Sequence, residues 1–84
     1  MKARCFCGRY MKHMEHELAT YVSGGRDLYS CRRCGARAVI WHRHGLDDWP
    51  VGGLIWNTAG REAELDWDDD RLEWRPGRPE GGAR

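Results

Sequence analysis

The chain has 84 residues, of which 40 % are hydrophobic and 32 % are charged, and its formal net charge at pH 7 is +1. A chain of this length forms one small domain at most, and such a domain usually needs a metal, disulfides or a partner to be stable. No run of about 20 apolar residues is present, so we expect no transmembrane helix, and the balanced charge argues against a dedicated nucleic-acid binder.

The first motif along the chain is a pair of cysteines, and a second pair follows after 23 intervening residues. RCFCGRY (4–10) contains Cys5 and Cys7, SCRRCGA (30–36) contains Cys31 and Cys34, and a glycine directly follows each pair. Zinc binds four ligands in a tetrahedron and accepts thiolates, so two ligands one or two residues apart can come from one tight turn. A glycine there relieves crowding where backbone amides turn toward the sulfurs. The pattern predicts one structural zinc ion bound by all four cysteines.

Two other uses of the cysteines are less favoured. Residues 1–16 lack the apolar run of a signal peptide, which indicates a reducing, cytoplasmic location where disulfides rarely form. A redox Cys-x-x-Cys motif normally opens a helix, whereas GARAVIWHR (35–43) has the composition of a strand. The first pair has one intervening residue where two are commoner, so replacement of Cys5 or Cys7 by a histidine ligand remains open.

These motifs resemble the zinc-ribbon superfamily. The similarity rests on CFCG (5–8), YSCRRCG (29–35) and the apolar stretch ARAVIWH (36–42), and it covers residues 2–44. The resemblance implies two zinc-binding turns at one end of an antiparallel sheet of three or four strands, with the four cysteines as ligands. It indicates a fold rather than a function, because zinc ribbons occur in proteins of many activities.

Between the cysteine pairs the sequence predicts a β-hairpin. Residues 9–16 fit a helix or a strand, with a strand slightly favoured. VSGGRD (22–27) is typical of a hairpin turn, and we predict strands over 17–22, 27–31 and 36–42. Histidines occur in two close pairs, His13 with His16 and His42 with His44. We interpret them as surface side chains, because a metal site needs more convergent ligands than either pair supplies.

The first half of the chain is basic, with nine Lys/Arg against three Asp/Glu in residues 1–44. Four arginines within and after the second cysteine pair lie close in sequence to Tyr29 and Trp41, so they could bind a phosphate backbone beside stacked bases: Arg32, Arg33, Arg37 and Arg43. The plainer interpretation is a solvated polar surface.

The second half is acidic, with ten Asp/Glu against five Lys/Arg. Its glycines predict an apolar loop over 45–61. Alternating apolar and charged residues predict a hairpin over 62–75, packed on the ribbon or on a partner, and the composition of 76–84 predicts a disordered tail. Tryptophans flanked by acids make good anchors for a basic protein surface, and the candidate partner contacts are Trp49, Trp56, Trp67 and Trp74.

The sequence as a whole predicts a small all-β, metal-stabilised domain: an antiparallel zinc ribbon (1–44), an apolar loop and a Trp-rich hairpin. We expect no enzymatic activity and no small-molecule substrate, since four thiolates leave zinc no open position for water. The first hypothesis is a protein-interaction module in a larger assembly, similar in style to bacterial or phage accessory proteins. The alternative is a nucleic-acid-binding ribbon that uses its arginines.

Overall fold

The computed structural model describes residues 2–45 and 49–77, and these residues form six strands and no helix. The strands are β1 (Lys12–Glu17), β2 (Gly25–Ser30), β3 (Arg37–His42), β4 (Pro50–Trp56), β5 (Glu62–Asp68) and β6 (Glu73–Pro76). Each strand pairs antiparallel with the next in one sheet, in the order β1-β2-β3-β4-β5-β6. The prediction of a small all-β antiparallel fold is confirmed.

The first hairpin differs from its prediction in where its first strand lies. β1 occupies 12–17 rather than 17–22, whereas β2 and β3 lie within one or two residues of the predicted 27–31 and 36–42. The turn starts early because Thr20 Oγ1 accepts a hydrogen bond from the amide of Ser23 at 3.0 Å. Gly25 also allows a close approach, since a Cβ there would lie 2.2 Å from the carbonyl oxygen of Glu17. The favoured strand over 9–16 is confirmed for residues 12–16.

The predicted loop over 45–61 is wrong for residues 50–56, which form β4 between β3 and β5. The glycines of this segment predicted a loop because glycine is common in loops. In β4 they instead allow neighbouring strands to pack closely. Gly53 is buried, and a Cβ on it would lie 2.5 Å from the carbonyl oxygen of Val39. Apolar residues that a loop would have exposed therefore enter the core, as Ile55 does with 0 % exposure.

The hairpin predicted over 62–75 is confirmed by β5 and β6, which pair Trp67 with Trp74. The turn between the strands is held by Asp68, whose Oδ1 accepts hydrogen bonds from the amides of Asp70 at 3.0 Å and Arg71 at 3.2 Å. Of the predicted disordered tail, Pro76 ends β6, Gly77 follows it, and residues 78–84 lie outside the described residues.

The N-terminal segment links the two ends of the sheet. The amide of Arg4 donates to the carbonyl of Trp74, and the amide of Trp74 donates to the carbonyl of Lys2, both at 2.8 Å. On the other side, the amide of Met11 donates to the carbonyl of Ala3 at 2.7 Å. β6 is thereby joined to the chain that leads into β1. A single core results, and it contains both halves of the sequence: Ala3, Cys5, Met11, Tyr29, Cys31, Ala36, Ala38, Ile40, Ile55, Leu65 and Trp74.

A buried carboxylate fastens this N-terminal segment to β6. Glu73 is 0 % exposed, and its two oxygens accept hydrogen bonds from Arg4 Nε at 2.7 Å and Nη2 at 3.0 Å. The hydroxyl of Tyr10 donates to the same carboxylate at 2.8 Å. The Arg4 guanidinium lowers the pKa of Glu73 to about 2, against the cost of burial. Glu73 is therefore ionised throughout the neutral range.

Candidate metal centre

The two cysteine pairs lie in two turns, each closed by a hydrogen bond from the following glycine to the first cysteine of the pair. In the first turn the amide of Gly8 donates to the carbonyl of Cys5 at 3.0 Å, and in the second the amide of Gly35 donates to the carbonyl of Cys31 at 2.9 Å. Both glycines have positive φ, 88° and 73°, a conformation that side chains with a Cβ rarely adopt. The glycine after each pair is therefore a requirement of the turn.

The turns bring all four sulfurs together. The Sγ atoms of Cys5, Cys7, Cys31 and Cys34 lie within 4.8 Å of one another. Cys7 Sγ is 3.7 Å from Cys31 Sγ, and Cys5 Sγ is 3.1 Å from Cys34 Sγ. Four thiolates at about 2.3 Å from a tetrahedral zinc ion would be about 3.8 Å apart. The first distance fits directly, and the second requires a small outward movement of the exposed Cys34.

The donor chemistry of this cluster suits a metal ion. All four cysteines are free, and both sulfur–sulfur distances are far longer than the 2.05 Å or so of a disulfide. Among the described residues no histidine joins this group, so the cysteines need no substitute ligand. The cluster can therefore hold a metal ion with four sulfur donors, which is consistent with a zinc-ribbon-like site.

The thiols differ in how readily they ionise. Burial would raise the pKa of Cys31, but hydrogen bonds from the amides of Cys34 and Arg33 outweigh it and lower the pKa to about 6. Burial raises the pKa of the Cys5 thiol above its ordinary value. Because the thiolate is the form that binds a metal, Cys31 is ready to bind near neutral pH, whereas at Cys5 the metal must displace a proton.

The first cysteine turn is fixed to the second half of the chain. Arg4 Nη1 donates to the carbonyl of Gly8 at 2.6 Å while the same guanidinium binds Glu73 of β6. The guanidinium carbon of Arg61, in the turn between β4 and β5, lies 4.3 Å from the ring centroid of Phe6. The first cysteine turn is thus supported by β6 and the β4–β5 turn as well as by its own segment of the chain.

The four candidate arginines do not form one surface. Arg32 and Arg33 are exposed in the second cysteine turn, and Arg37 is exposed at the start of β3. Arg43 follows the other end of β3, about 20 Å from Arg37 at the rise of a strand. Arg43 therefore lies apart from Arg37.

The four candidate tryptophans separate into two places. Trp49, Trp67 and Trp74 line one concavity of about 460 Å³ together with Pro50 and Asp69, whereas Trp56 lies in a different depression beside Met14 and Arg37. Trp74 is buried, and its ring meets that of Trp67 edge to face at a centroid distance of 5.5 Å. We call the set Trp49, Pro50, Trp67, Asp69 and Trp74 the tryptophan groove.

The structure also contains a side-chain cluster that the sequence did not predict. The carboxylate of Asp27 in β2 lies among three imidazoles, those of His13, His16 and His42. Burial would raise the pKa of Asp27, but hydrogen bonds from the three histidines lower it below its usual value. One sequence signal could have pointed to this cluster, namely the aspartate within the alternating stretch GRDLYS (25–30). An aspartate that is buried in a strand needs hydrogen-bonding partners on the neighbouring strands.

No protein-family model, curated protein or solved structure matches this chain at a significant level. Among the residues that the structure describes, no helix is long and apolar enough to cross a bilayer.

Proposed function

We propose that this protein is a zinc-stabilised, non-enzymatic β-domain that binds a basic segment of a partner protein in its tryptophan groove. The observation that supports this most directly is the groove itself, where the exposed Trp49 and Trp67 stand beside a carboxylate, that of Asp69. Large aromatic side chains in a concavity are typical anchors of protein interfaces.

The electrostatics of the groove favour a cationic ligand. Asp69 Oδ1 accepts a hydrogen bond from Trp67 Nε1 at 2.6 Å, which places a carboxylate at the indole edge. The neighbouring depression is lined by four aspartates against one basic residue, Arg75: Asp66, Asp68, Asp69 and Asp70. A lysine or arginine side chain could lie over a Trp face while its charge meets these carboxylates.

The proposed zinc ion acts on this groove indirectly. Four cysteine ligands complete its coordination, so it stabilises structure instead of activating water. The first cysteine turn is continuous with Ala3 and Arg4, which pair with Trp74 in the groove wall. Metal binding at the cysteines therefore keeps Trp74 in place.

The alternative function, nucleic-acid binding, rests on Arg32, Arg33 and Arg37, which are exposed near the second cysteine turn. These arginines could contact phosphates. Trp49 and Trp67, which could stack on bases, lie apart from these arginines in the acidic groove, and Trp56 stands beside Arg37. This separation favours the protein-binding proposal.

A titration followed by amide NMR spectra tests the proposal with three defined probes: a Lys/Arg-rich peptide, an acidic peptide of equal length and a single-stranded oligonucleotide. We expect the basic peptide to shift the resonances of Trp67, Asp69 and their neighbours, with little effect from the acidic peptide. Shifts confined to residues 32–37 on adding the oligonucleotide, without any response to the basic peptide, would establish the alternative instead.

A matched pair of tryptophan variants locates the binding. Trp67 and Trp41 are almost equally exposed, at 42 % and 41 %, but Trp41 lies in a separate depression with Val51 and Leu54. Trp67→Leu should weaken peptide binding about tenfold or more, as expected for an interface anchor, and Trp41→Leu should leave it unchanged. Equal effects of the two changes would contradict the assignment to this groove.

A further inference from the structure

We propose that His13, His16 and Asp27 form a second metal site, for a divalent transition-metal ion, with His42 positioning the carboxylate of Asp27. This site is independent of the cysteine cluster and of the tryptophan groove. We call these four residues the histidine–aspartate cluster.

The ligand atoms of the cluster already converge. His16 Nδ1 lies 2.6 Å and His13 Nε2 lies 2.8 Å from the same oxygen, Asp27 Oδ1. One ligand atom from each of these three residues lies within 4.8 Å of the others. The second carboxylate oxygen, Oδ2, is 2.5 Å from His42 Nε2. Two imidazole nitrogens therefore surround one carboxylate oxygen, and the three atoms are close enough together to bind one ion.

A β-bulge produces this convergence. In a regular strand, side chains three residues apart point to opposite faces of the sheet. β1 pairs His13 with Tyr29 and Glu15 with Leu28, so Met14 is an extra residue without a partner in β2. Beyond this shift His16 pairs directly with Asp27. The bulge thus turns both histidines toward the face that carries Asp27, and bulges commonly re-aim side chains at functional sites.

The carboxylate of Asp27 is oriented by a hydrogen bond with a second buried side chain, as is typical of carboxylates that bind metals. Asp27 is only 4 % exposed, and the side chain of His42, on the neighbouring strand β3, is equally buried. A carboxylate accepts hydrogen bonds and cannot donate them. His42 therefore fixes Oδ2, which leaves Oδ1 directed at His13 and His16. Hydrogen-bonded outer partners of this kind orient metal ligands in proteins.

The composition of the cluster defines the class of ion. Imidazole and carboxylate ligands suit zinc, cobalt, nickel and iron in the divalent state. Three protein ligands leave at least one position for water, in contrast to the closed set of four cysteines. Zinc ligands at about 2.0–2.1 Å from the ion stand about 3.3 Å apart, so binding requires the two imidazoles to move outward slightly. Their side chains are 47 % and 37 % exposed, which leaves room for that movement.

The site is separate from the cysteine cluster. Asp27 and Cys31 are four residues apart along β2 and the start of the following turn, a distance of about 13 Å at the rise of a strand. Each site can therefore be removed by substitution without touching the ligands of the other.

Native mass spectrometry of the metal-loaded protein during a Co²⁺ titration tests this site, with histidine ¹⁵N spectra recorded on the same samples. The wild-type protein should hold one ion beyond that at the cysteines, and the ring nitrogens of His13 and His16 should respond. The double variant His13→Gln/His16→Gln should bind the additional ion at least about tenfold more weakly. His44→Gln provides the matched control, because His44 is an exposed histidine outside the cluster.

Three outcomes would overturn the proposal: no additional ion in the wild-type protein at millimolar Co²⁺, unchanged uptake in the double variant, or equal loss of uptake in His44→Gln. Both substituted histidines are exposed on an edge strand, and His42 still pairs with the buried Asp27, so the double variant is expected to fold. Its near-native circular dichroism would establish that any loss of binding reflects lost ligands.

Discussion

The two ends of β2 carry clusters of metal-binding side chains that are constructed in different ways. At one end, Cys31 joins three other cysteines that two short turns present. At the other end, Asp27 meets histidines from two neighbouring strands, one of which contains a bulge. The cysteine cluster depends on local spacing, whereas the histidine–aspartate cluster depends on strand register. A site of the first kind is visible in a sequence, and one of the second kind appears only when the strands are paired.

The cysteine cluster nevertheless has one non-local support. Its first turn is held by Arg4, which binds both the carbonyl of Gly8 and the carboxylate of Glu73 in β6. Residues 69 positions apart in sequence thus meet beside the first cysteine turn. The ribbon predicted from the cysteines is therefore one part of a continuous six-stranded sheet.

The largest effect should come from losing a cysteine ligand. Cys34→Ser removes one thiolate from an exposed position, and we expect the chain to lose both its metal and its fold. Structural zinc sites contribute on the order of 10 kcal/mol, which is comparable to the whole stability of a small domain. Amide NMR dispersion and circular dichroism measure the loss, and a strong chelator should reproduce it in the wild-type protein.

The contrast with the second cluster sharpens this prediction. His13→Gln/His16→Gln should retain dispersed spectra and cooperative unfolding, because the histidine–aspartate cluster lies on strands that pair without it. A well-folded Cys34→Ser protein, or an unfolded double-histidine variant, would reverse the roles assigned to the two clusters.

The next effect concerns the support between the cysteine turn and β6. The folded pKa of Glu73 is about 2, below its ordinary value of 4.5, so its ionised form stabilises the folded state above pH 4.5. This contribution is lost as the pH falls from about 4.5 toward 2. Glu73→Gln should lower the melting temperature at pH 7. The difference in melting temperature between this variant and the wild type should shrink as the pH approaches 2. Melting curves across this range measure both effects.

The control for this series is a change at Glu64, a carboxylate that is exposed in β5. Glu64→Gln should have little effect on melting at any pH in the range, because exposed carboxylates contribute little. A constant difference between Glu73→Gln and wild type from pH 7 to 2 would show that the Arg4–Glu73 pair is not the source of the stabilisation.

The smallest effect concerns β4, the strand that was predicted to be a loop because of its glycines. Gly53→Ala places a Cβ 2.5 Å from the carbonyl oxygen of Val39, and the forced shift should cost about 1–3 kcal/mol. Gly52→Ala is the matched control, because a Cβ there meets nothing within 4 Å. Urea unfolding of both variants gives the comparison, and equal stabilities would contradict the close packing of β3 and β4.

Much of the cysteine cluster and of the final hairpin could be predicted from the sequence. Cys5 and Cys7 occur in one tight turn and need no distant residue to be adjacent. Trp67 and Trp74 flank a run of aspartates that forms a turn through Asp68. Each of these features lies within a short stretch, where spacing and turn chemistry determine the local geometry.

β4 and the histidine–aspartate cluster could not be predicted in the same way. Gly52 and Gly53 are typical of loops, and only their neighbours in β3 and β5 make them part of a strand. His13 and His16 were interpreted as surface side chains, since in a regular strand they would point to opposite faces, and only the bulge at Met14 brings them together. In both cases strand pairing brings residues into contact, and their spacing along the chain does not indicate that contact.

The all-β class, a set of four cysteines that could hold a metal ion and a hairpin with one apolar face were predictable from the sequence, because all three follow from short-range spacing and alternation. Tertiary structure alone decided that the N-terminal segment joins β6 and that Glu73 is buried against Arg4. It also decided that Asp27 lies among three histidines. These contacts arise from register, bulge and sheet closure, which depend on the free energy of the whole core rather than on any one stretch of residues.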